Sequence, residues 1–89
     1  MKVILCNINN FDYTQKIGLV NDDRITTIGW ARLESLGNRI AALCGEYDVY
    51  DVKLVGTQSY VEKLVVPQIH EYSTTHYNNR EIKVEVING

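Results

Sequence analysis

The sequence predicts an α/β domain built on a five-stranded mixed sheet, with its elements in the order β-β-β-α-β-α-β. Three observations carry this. The opening stretch KVILCNI is apolar at nearly every position, as a strand at the centre of a sheet is. The runs QKIGLV and RITTIGW flank Asn21-Asp22-Asp23, a turn signal between segments rich in β-branched residues. From about residue 35 the hydrophobic period becomes that of a helix, and strand-like and helix-like segments then alternate. A meander followed by crossover units gives a mixed sheet, because each β-α-β crossover sets its two strands parallel.

Residues 2 to 8 form the first strand. It is expected at the centre of the sheet, between the second and fourth strands and covered on both faces. Residues 15 to 30 form a hairpin. Leu36, Ile40, Leu43, Cys44 and Tyr47 then recur at helical spacing behind Ser35, an N-cap residue, so a helix is expected over about 35 to 46. Gly37 in its first turn weakens that start. VYDVKLV, residues 49 to 55, reads as a strand ended by Gly56. Ser59 with Glu62 fits a capping box, and Tyr60, Val61, Leu64, Val65, Gln68, Ile69 and Tyr72 mark a second helix to about residue 73. Pro67 inside it should remove one backbone hydrogen bond and kink the helix. EIKVEVI, residues 81 to 87, alternates Ile82, Val84 and Val86 with Glu81, Lys83 and Glu85, the pattern of a half-exposed edge strand. Ile4, Leu5, Leu43, Leu54, Leu64 and Val84 are expected in the core.

With 89 residues the chain reads as a single domain with one modest core, a size at which oligomerisation often adds stability. One Pro and six Gly argue against disorder. The net charge is −2 and no basic stripe exists, so nucleic acid is not an expected partner. No apolar run is long enough to span a bilayer, and MKVILCNINN lacks the pattern of a signal peptide. A cytoplasmic location is expected.

Cys6 and Cys44 both lie in apolar runs and read as buried free thiols; no CxxC or zinc-ligand spacing is present. His70 and His76 fall around a helix end without sharing a face, and read as solvated. No Ser-His-Asp order, GxSxG, Walker loop or HExxH occurs, so no metal or cofactor is expected. The six tyrosines have two readings: several close the rim of a small core, or they form an interface. Asp48 and Asp51 beside Tyr47 and Tyr50 argue against a phosphate groove there.

The element order resembles the ribonuclease H-like fold, a superfamily that includes ribonuclease H, Holliday-junction resolvases and actin-like ATPases. Asn7 to Gly18 occupies the place of a resolvase-like Asp-x-Gly segment, and VKLVGTQSYVEKL resembles the strand-Gly-helix segment of actin-like members. The chain also resembles short bacteriophage proteins. They share an apolar strand with Asn, a helix ending in Leu-Cys, Val-Lys-Leu-x-Gly and a final Ile-x-Val-x-Val strand. Ribonuclease H-type catalysis holds two metals about 4 Å apart between several carboxylates. The resemblance puts the first carboxylate on the first strand, where this chain has Asn7. It puts another near the first helix, where Glu34 stands, and a third after the fourth strand, where Gly56, Thr57 and Gln58 stand. Asp12 is nearby in a loop. An uncharged Asn leaves a divalent cluster under-compensated.

The expected function is therefore non-enzymatic: a phage-encoded domain that binds a host or phage protein or a second copy of itself. A homodimer is expected, through the last strand around Val84 or through a helical face carrying Tyr47, Tyr60 and Tyr72. Two alternatives stand beside it. One is a metal-dependent nuclease using Asn7, Asp12 and Glu34. The other is a nucleotide- or nucleic-acid-binding module using Gly56, Thr57 and Ser59 at a helix N-terminus.

Overall fold

The computed structural model describes residues 1–9 and 11–88, apart from the side chains of Thr57 and Asn88. Five strands and two helices follow in the expected order: β1 (Lys2–Asn7), β2 (Gln15–Asn21), β3 (Arg24–Ala31), α1 (Leu36–Tyr47), β4 (Asp51–Thr57), α2 (Ser59–His76) and β5 (Lys83–Asn88). A 3-10 turn at Leu33–Ser35 leads into α1. The strands lie in the order β3-β2-β1-β4-β5. β2 is antiparallel to β1 and β3, whereas β4 is parallel to β1 and β5. β1 is thus central, and β5 is an edge strand, as their patterns predict.

The hairpin turn rests on Asp22, whose φ of 57° is a left-handed conformation that Asp tolerates. The Met1 ammonium lies 2.8 Å from the Asp22 carboxylate and holds that carboxyl below its usual range. Between β2 and β3 the register shifts at Ile17/Gly18, leaving Ile28 as the extra residue of a bulge.

One face of β1 builds the core. Ile4, Cys6 and Ile8 are buried with Ile17, Val52 and Leu54 from the sheet and Ile40, Leu43, Val61, Val65 and Ile69 from the helices. Both helices lie on this face. Val3 and Leu5 alternate to the other face, are only half-buried, and do not belong to that core. The expectation that β1 is covered on both sides is therefore corrected. The reason is topological. β3 to β4 and β4 to β5 are both parallel crossovers stepping in one direction across the sheet, and right-handed crossovers of like direction place their helices on one face.

Two further expectations need correcting. Leu64 is 39% exposed, because the buried stripe of α2 is Val61, Val65, Ile69 and Ser73, and Leu64 sits one residue off it. Ser59 is the first helical residue of α2, behind the N-cap Gln58, so the capping box with Glu62 does not form. Helix α2 runs through Pro67 to His76, with Pro67 on the exposed side, where water reaches the carbonyl that its ring cannot pair.

The start of α1 is settled by α2. Ser35 occupies the N-cap position but makes no side-chain cap. Instead the Gln68 Oε1 accepts from the Gly37 N–H at 3.0 Å and lies 3.4 Å from the Asn38 nitrogen, while its Nε2 donates to the Glu34 carbonyl at 2.6 Å. A residue of one helix thus satisfies end groups of the other. Gly37 makes the approach possible: a Cβ there would stand 2.5 Å from the Gln68 Cβ and closer still to the Val65 carbonyl.

Cys6 and Cys44 are free and fully buried. The Cys6 thiol donates to the Lys16 carbonyl at 3.4 Å. Desolvation pushes both thiols up to about 12, against 9.0 for an exposed one. Between those values the unfolded chain loses protons that the folded chain keeps, so stability falls with rising pH. The melting temperature should accordingly hold to pH 9 and drop above it, and replacing both cysteines by Ala should flatten that drop. A thiol reagent at pH 8 should modify neither cysteine in the native protein and both in denaturant.

Candidate functional site

The face of the sheet away from the helices carries three rows of side chains, set by the pairing registers. The first runs Ile25, Val20, Val3, Asp51, Lys83. The second runs Thr27, Gly18, Leu5, Lys53, Glu85, and the third Trp30, Lys16, Asn7, Val55, Ile87. The helices pack on the opposite face, and Trp30, on the edge strand, also borders a hollow with Asn38, Arg39 and Ala42 of α1. Val3, Leu5, Val20 and Val55 are half-buried, while Ile25 is 68% and Trp30 56% exposed. The Lys53 ammonium lies 3.6 Å from Glu85, and the Lys16 ammonium 5.5 Å from the Trp30 ring centre. On β1, β2 and β3 the face carries Val3, Leu5, Val20, Ile25 and Trp30 with Asn7, Lys16 and Thr27 among them, and it is charged at the start of β4 and β5.

Two shallow hollows open on it. One, of about 420 Å³, lies between Met1, Val3, Asp51, Lys53, Lys83 and Glu85. The other, of about 550 Å³, spreads over Gly18 between Leu5, Asn7, Lys16, Ile25, Thr27 and Trp30 and reaches Asp12. Gly18 provides its floor; a Cβ there would stand 3.3 Å from the Ile25 Cγ2.

Gln15 holds the upper rim. Its buried amide accepts from the Asn9 N–H at 2.8 Å, and donates to the carbonyls of Asn9 at 2.8 Å and Asp12 at 3.2 Å. The Asn9 side chain in turn accepts from the Phe11 N–H at 3.0 Å. Asn9 is therefore a turn residue, with its backbone and its Oδ1 committed to the loop.

The residues singled out from the sequence are dispersed. Asn7 and Asp12 line the larger hollow, but Glu34 does not; it stands exposed in the turn before α1. Among the described residues no group of three or more His, Cys, Asp or Glu is placed to hold a metal. Gly56 has a φ of 79° at a register shift in β4, and a Cβ there would stand 3.0 Å from the Ile8 carbonyl. Its role is conformational, in the last turn of the strand. The Thr57 side chain lies outside the described residues. Ser59 is exposed, and Glu62 puts a negative charge into the first turn of α2, which opposes an anion there.

The tyrosines do not form one patch. Tyr72 stacks on His76 with ring centres 4.0 Å apart and meets the edge of Tyr77 at 5.6 Å. Tyr50 also meets Tyr77, and Arg80 lies 3.8 Å over Tyr50. This cluster closes the core below the helices. Tyr60 is exposed ~18 Å up the axis of α2 from Tyr72, and Tyr47 is exposed at the far end of α1. Val84 is half-buried on the helix side of β5. What the sequence reading missed is the outer face itself. Its signal was there: β1 is apolar on both faces, and only two helices exist to cover it.

No family model matches the chain, and no curated protein matches it. Among solved structures it is similar to part of Pelota from Archaeoglobus fulgidus, whose crystal structure reveals inter-domain structural plasticity. That match has a TM-score of 0.60 and 11% identity, over 99% of this chain and 26% of that one. It is also similar to part of the PPX-GPPA enzyme from Aquifex aeolicus, with a TM-score of 0.48 and 17% identity, over 99% of this chain and 36% of that one. The chain thus spans about a quarter to a third of the chains it matches. At such identity the likeness bears on architecture alone. A three-stranded meander, two helices on one face and the strand order β3-β2-β1-β4-β5 make this a ribonuclease H-like α/β fold.

Proposed function

We propose that this domain is a non-enzymatic binding module that self-associates into a homodimer through the open face of its sheet. The observation that carries the reading is the uncovered apolar field of Val3, Leu5, Val20, Ile25 and Trp30 on the face opposite both helices. A chain of this size gains most by burying such a field, because its own core is small. Pairing through the β5 edge would leave the field wet in both copies, and the tyrosines are not gathered on one helical face. With strands ~4.8 Å apart and ~20 Å long, two copies of the face would bury on the order of 1,000 Å², the low end for a specific interface. Resemblance to short bacteriophage proteins supports a phage-encoded protein in the host cytoplasm, where free thiols stay reduced.

Sedimentation velocity from low to high micromolar concentration tests this. The wild type should pass from monomer to dimer. Ile25→Glu changes a residue already exposed in the monomer, so folding should survive while the dissociation constant rises about tenfold or more, the cost of ~1–3 kcal/mol for an unpaired polar group in the interface. Leu5→Glu should act in the same direction, and Tyr60→Ala should leave the dimer unchanged. A strict monomer at high micromolar concentration, or a dimer indifferent to Ile25→Glu, would overturn the reading.

A further inference from the structure

We infer that the two copies meet about a two-fold axis running across the strands, between the row of Val3 and the row of Leu5, so that β1 lies antiparallel on β1 of its mate. This rests on the self-association reading and adds its geometry. The argument is charge complementarity. Asp51 and Lys53 on β4, with Lys83 and Glu85 on β5, form a square in which every neighbour along or across the strands has the opposite sign. A two-fold axis between the two rows lays the first row of one copy on the second row of the other. Asp51 then faces Lys53 of the mate, and Lys83 faces Glu85, each twice by symmetry. On the apolar side the same operation sets Val3 on Leu5 and Ile25 on Thr27. It also seats Val20 over Gly18, where the larger hollow has its floor.

The other simple registers fail on the same map. An axis along β1 would put Asp51 on Val20 and Lys83 on Ile25, burying charge on apolar side chains without a partner. An axis through the Leu5 row would set Lys53 on Lys53 and Glu85 on Glu85, with Asp51 on Val55. An axis between the Leu5 and Asn7 rows would set Lys53 on Val55 and Glu85 on Ile87. Over these two rows, one register of the four pairs every charge with its opposite and sets every apolar residue on an apolar one, on Thr27 or on Gly18, while the row of Trp30, Lys16 and Asn7 lies beyond the overlap. Its strands run nearly aligned, as in face-to-face sheet packing.

The test is inversion of the charge square. Lys53→Glu alone places like charges opposite Asp51 at two symmetric points and should weaken the dimer about tenfold or more. The quadruple variant Asp51→Lys, Lys53→Glu, Lys83→Glu, Glu85→Lys inverts the square, keeps it self-complementary, and should dimerise within about threefold of the wild type. Wild-type and inverted chains labelled with donor and acceptor dyes should sort into homodimers, because a mixed pair would set like charge on like at all four contacts. Free mixing of the two, or an undisturbed Lys53→Glu dimer, would overturn the register while leaving self-association intact. A monomeric wild type would remove both.

Discussion

Gly37→Ala is expected to lower the stability of this domain by about 2–3 kcal/mol, although Ala is the better helix former. Propensity alone would favour the change by ~1 kcal/mol. Against that stands the contact between α1 and α2. The added Cβ would fall against the Val65 carbonyl and 2.5 Å from the Gln68 Cβ, and both belong to the backbone or stem of a packed helix. The helices must move apart, an overpacking cost of ~1–3 kcal/mol. Gln68 is then drawn away from the Gly37 N–H and the Glu34 carbonyl that it satisfies, losing a cap worth ~1–2 kcal/mol. For a domain of this length the melting temperature should fall by roughly 10–20 °C. Gln68→Ala should reproduce the cap term alone, about half of the loss. A Gly37→Ala protein as stable as the wild type would show that the helices do not meet there.

The second large effect is at the lower end of the same helix pair. Tyr77→Ala is expected to cost about 3 kcal/mol. The Tyr77 hydroxyl donates to the Ala41 carbonyl at 2.8 Å, and its ring fills the space over Gly45 and meets Tyr50 and Tyr72. Truncation leaves a cavity and removes the second hydrogen bond to a carbonyl that α1 already pairs. Gly45→Ala should cost nearly as much, since its Cβ would lie 2.6 Å from the Tyr77 Cζ. The two losses should not add. Once the ring is gone the methyl has room, so the double variant should be no less stable than Tyr77→Ala alone, a coupling of nearly the whole Gly45→Ala cost, about 3 kcal/mol. Additive losses in chemical denaturation would mean that the ring and Gly45 do not share that space. Tyr77→Phe should cost ~1 kcal/mol, the hydrogen bond without the packing.

Much of the fold was legible in the residues. The element order, the central place of KVILCNI, the edge character of EIKVEVI, the turn at Asp22 and the burial of both cysteines all follow from local patterns. These patterns work because each reports one short-range quantity: side-chain alternation, helical period, or the conformational freedom of a turn residue. The one-sided placement of the helices was within reach too, since it follows from crossover handedness once the strand order is known. Without that step the apolar face of β1 carrying Val3 and Leu5 reads as covered core, whereas it lies on the open face of the sheet. The candidate site was less legible. The resemblance puts Asn7 and Glu34 in one site with Asp12 nearby, but the chain sets Glu34 in the turn before α1, outside the hollow that Asn7 and Asp12 line. Tyr47, Tyr60 and Tyr72 share a residue type and a helical setting, but Tyr60 stands at the N-terminal end of α2, away from the other two.

The remaining features belong to the tertiary structure alone. Ser35 and Ser59 have the composition of helix caps, but the first helix takes its cap from Gln68, a residue 31 positions away from Gly37 in the chain. Gly37 and Gly45 look like helix weaknesses in sequence; each is instead the place where a second element comes closer than a side chain allows. Leu64 fits a helical hydrophobic pattern and is solvent-facing, because the stripe that α2 buries is chosen by where α1 lies. The physical reason is common to all of them. Periodicity and propensity describe a segment against water, whereas caps, close approaches and the buried side of a helix are decided by the neighbour it meets, and that neighbour is distant in sequence.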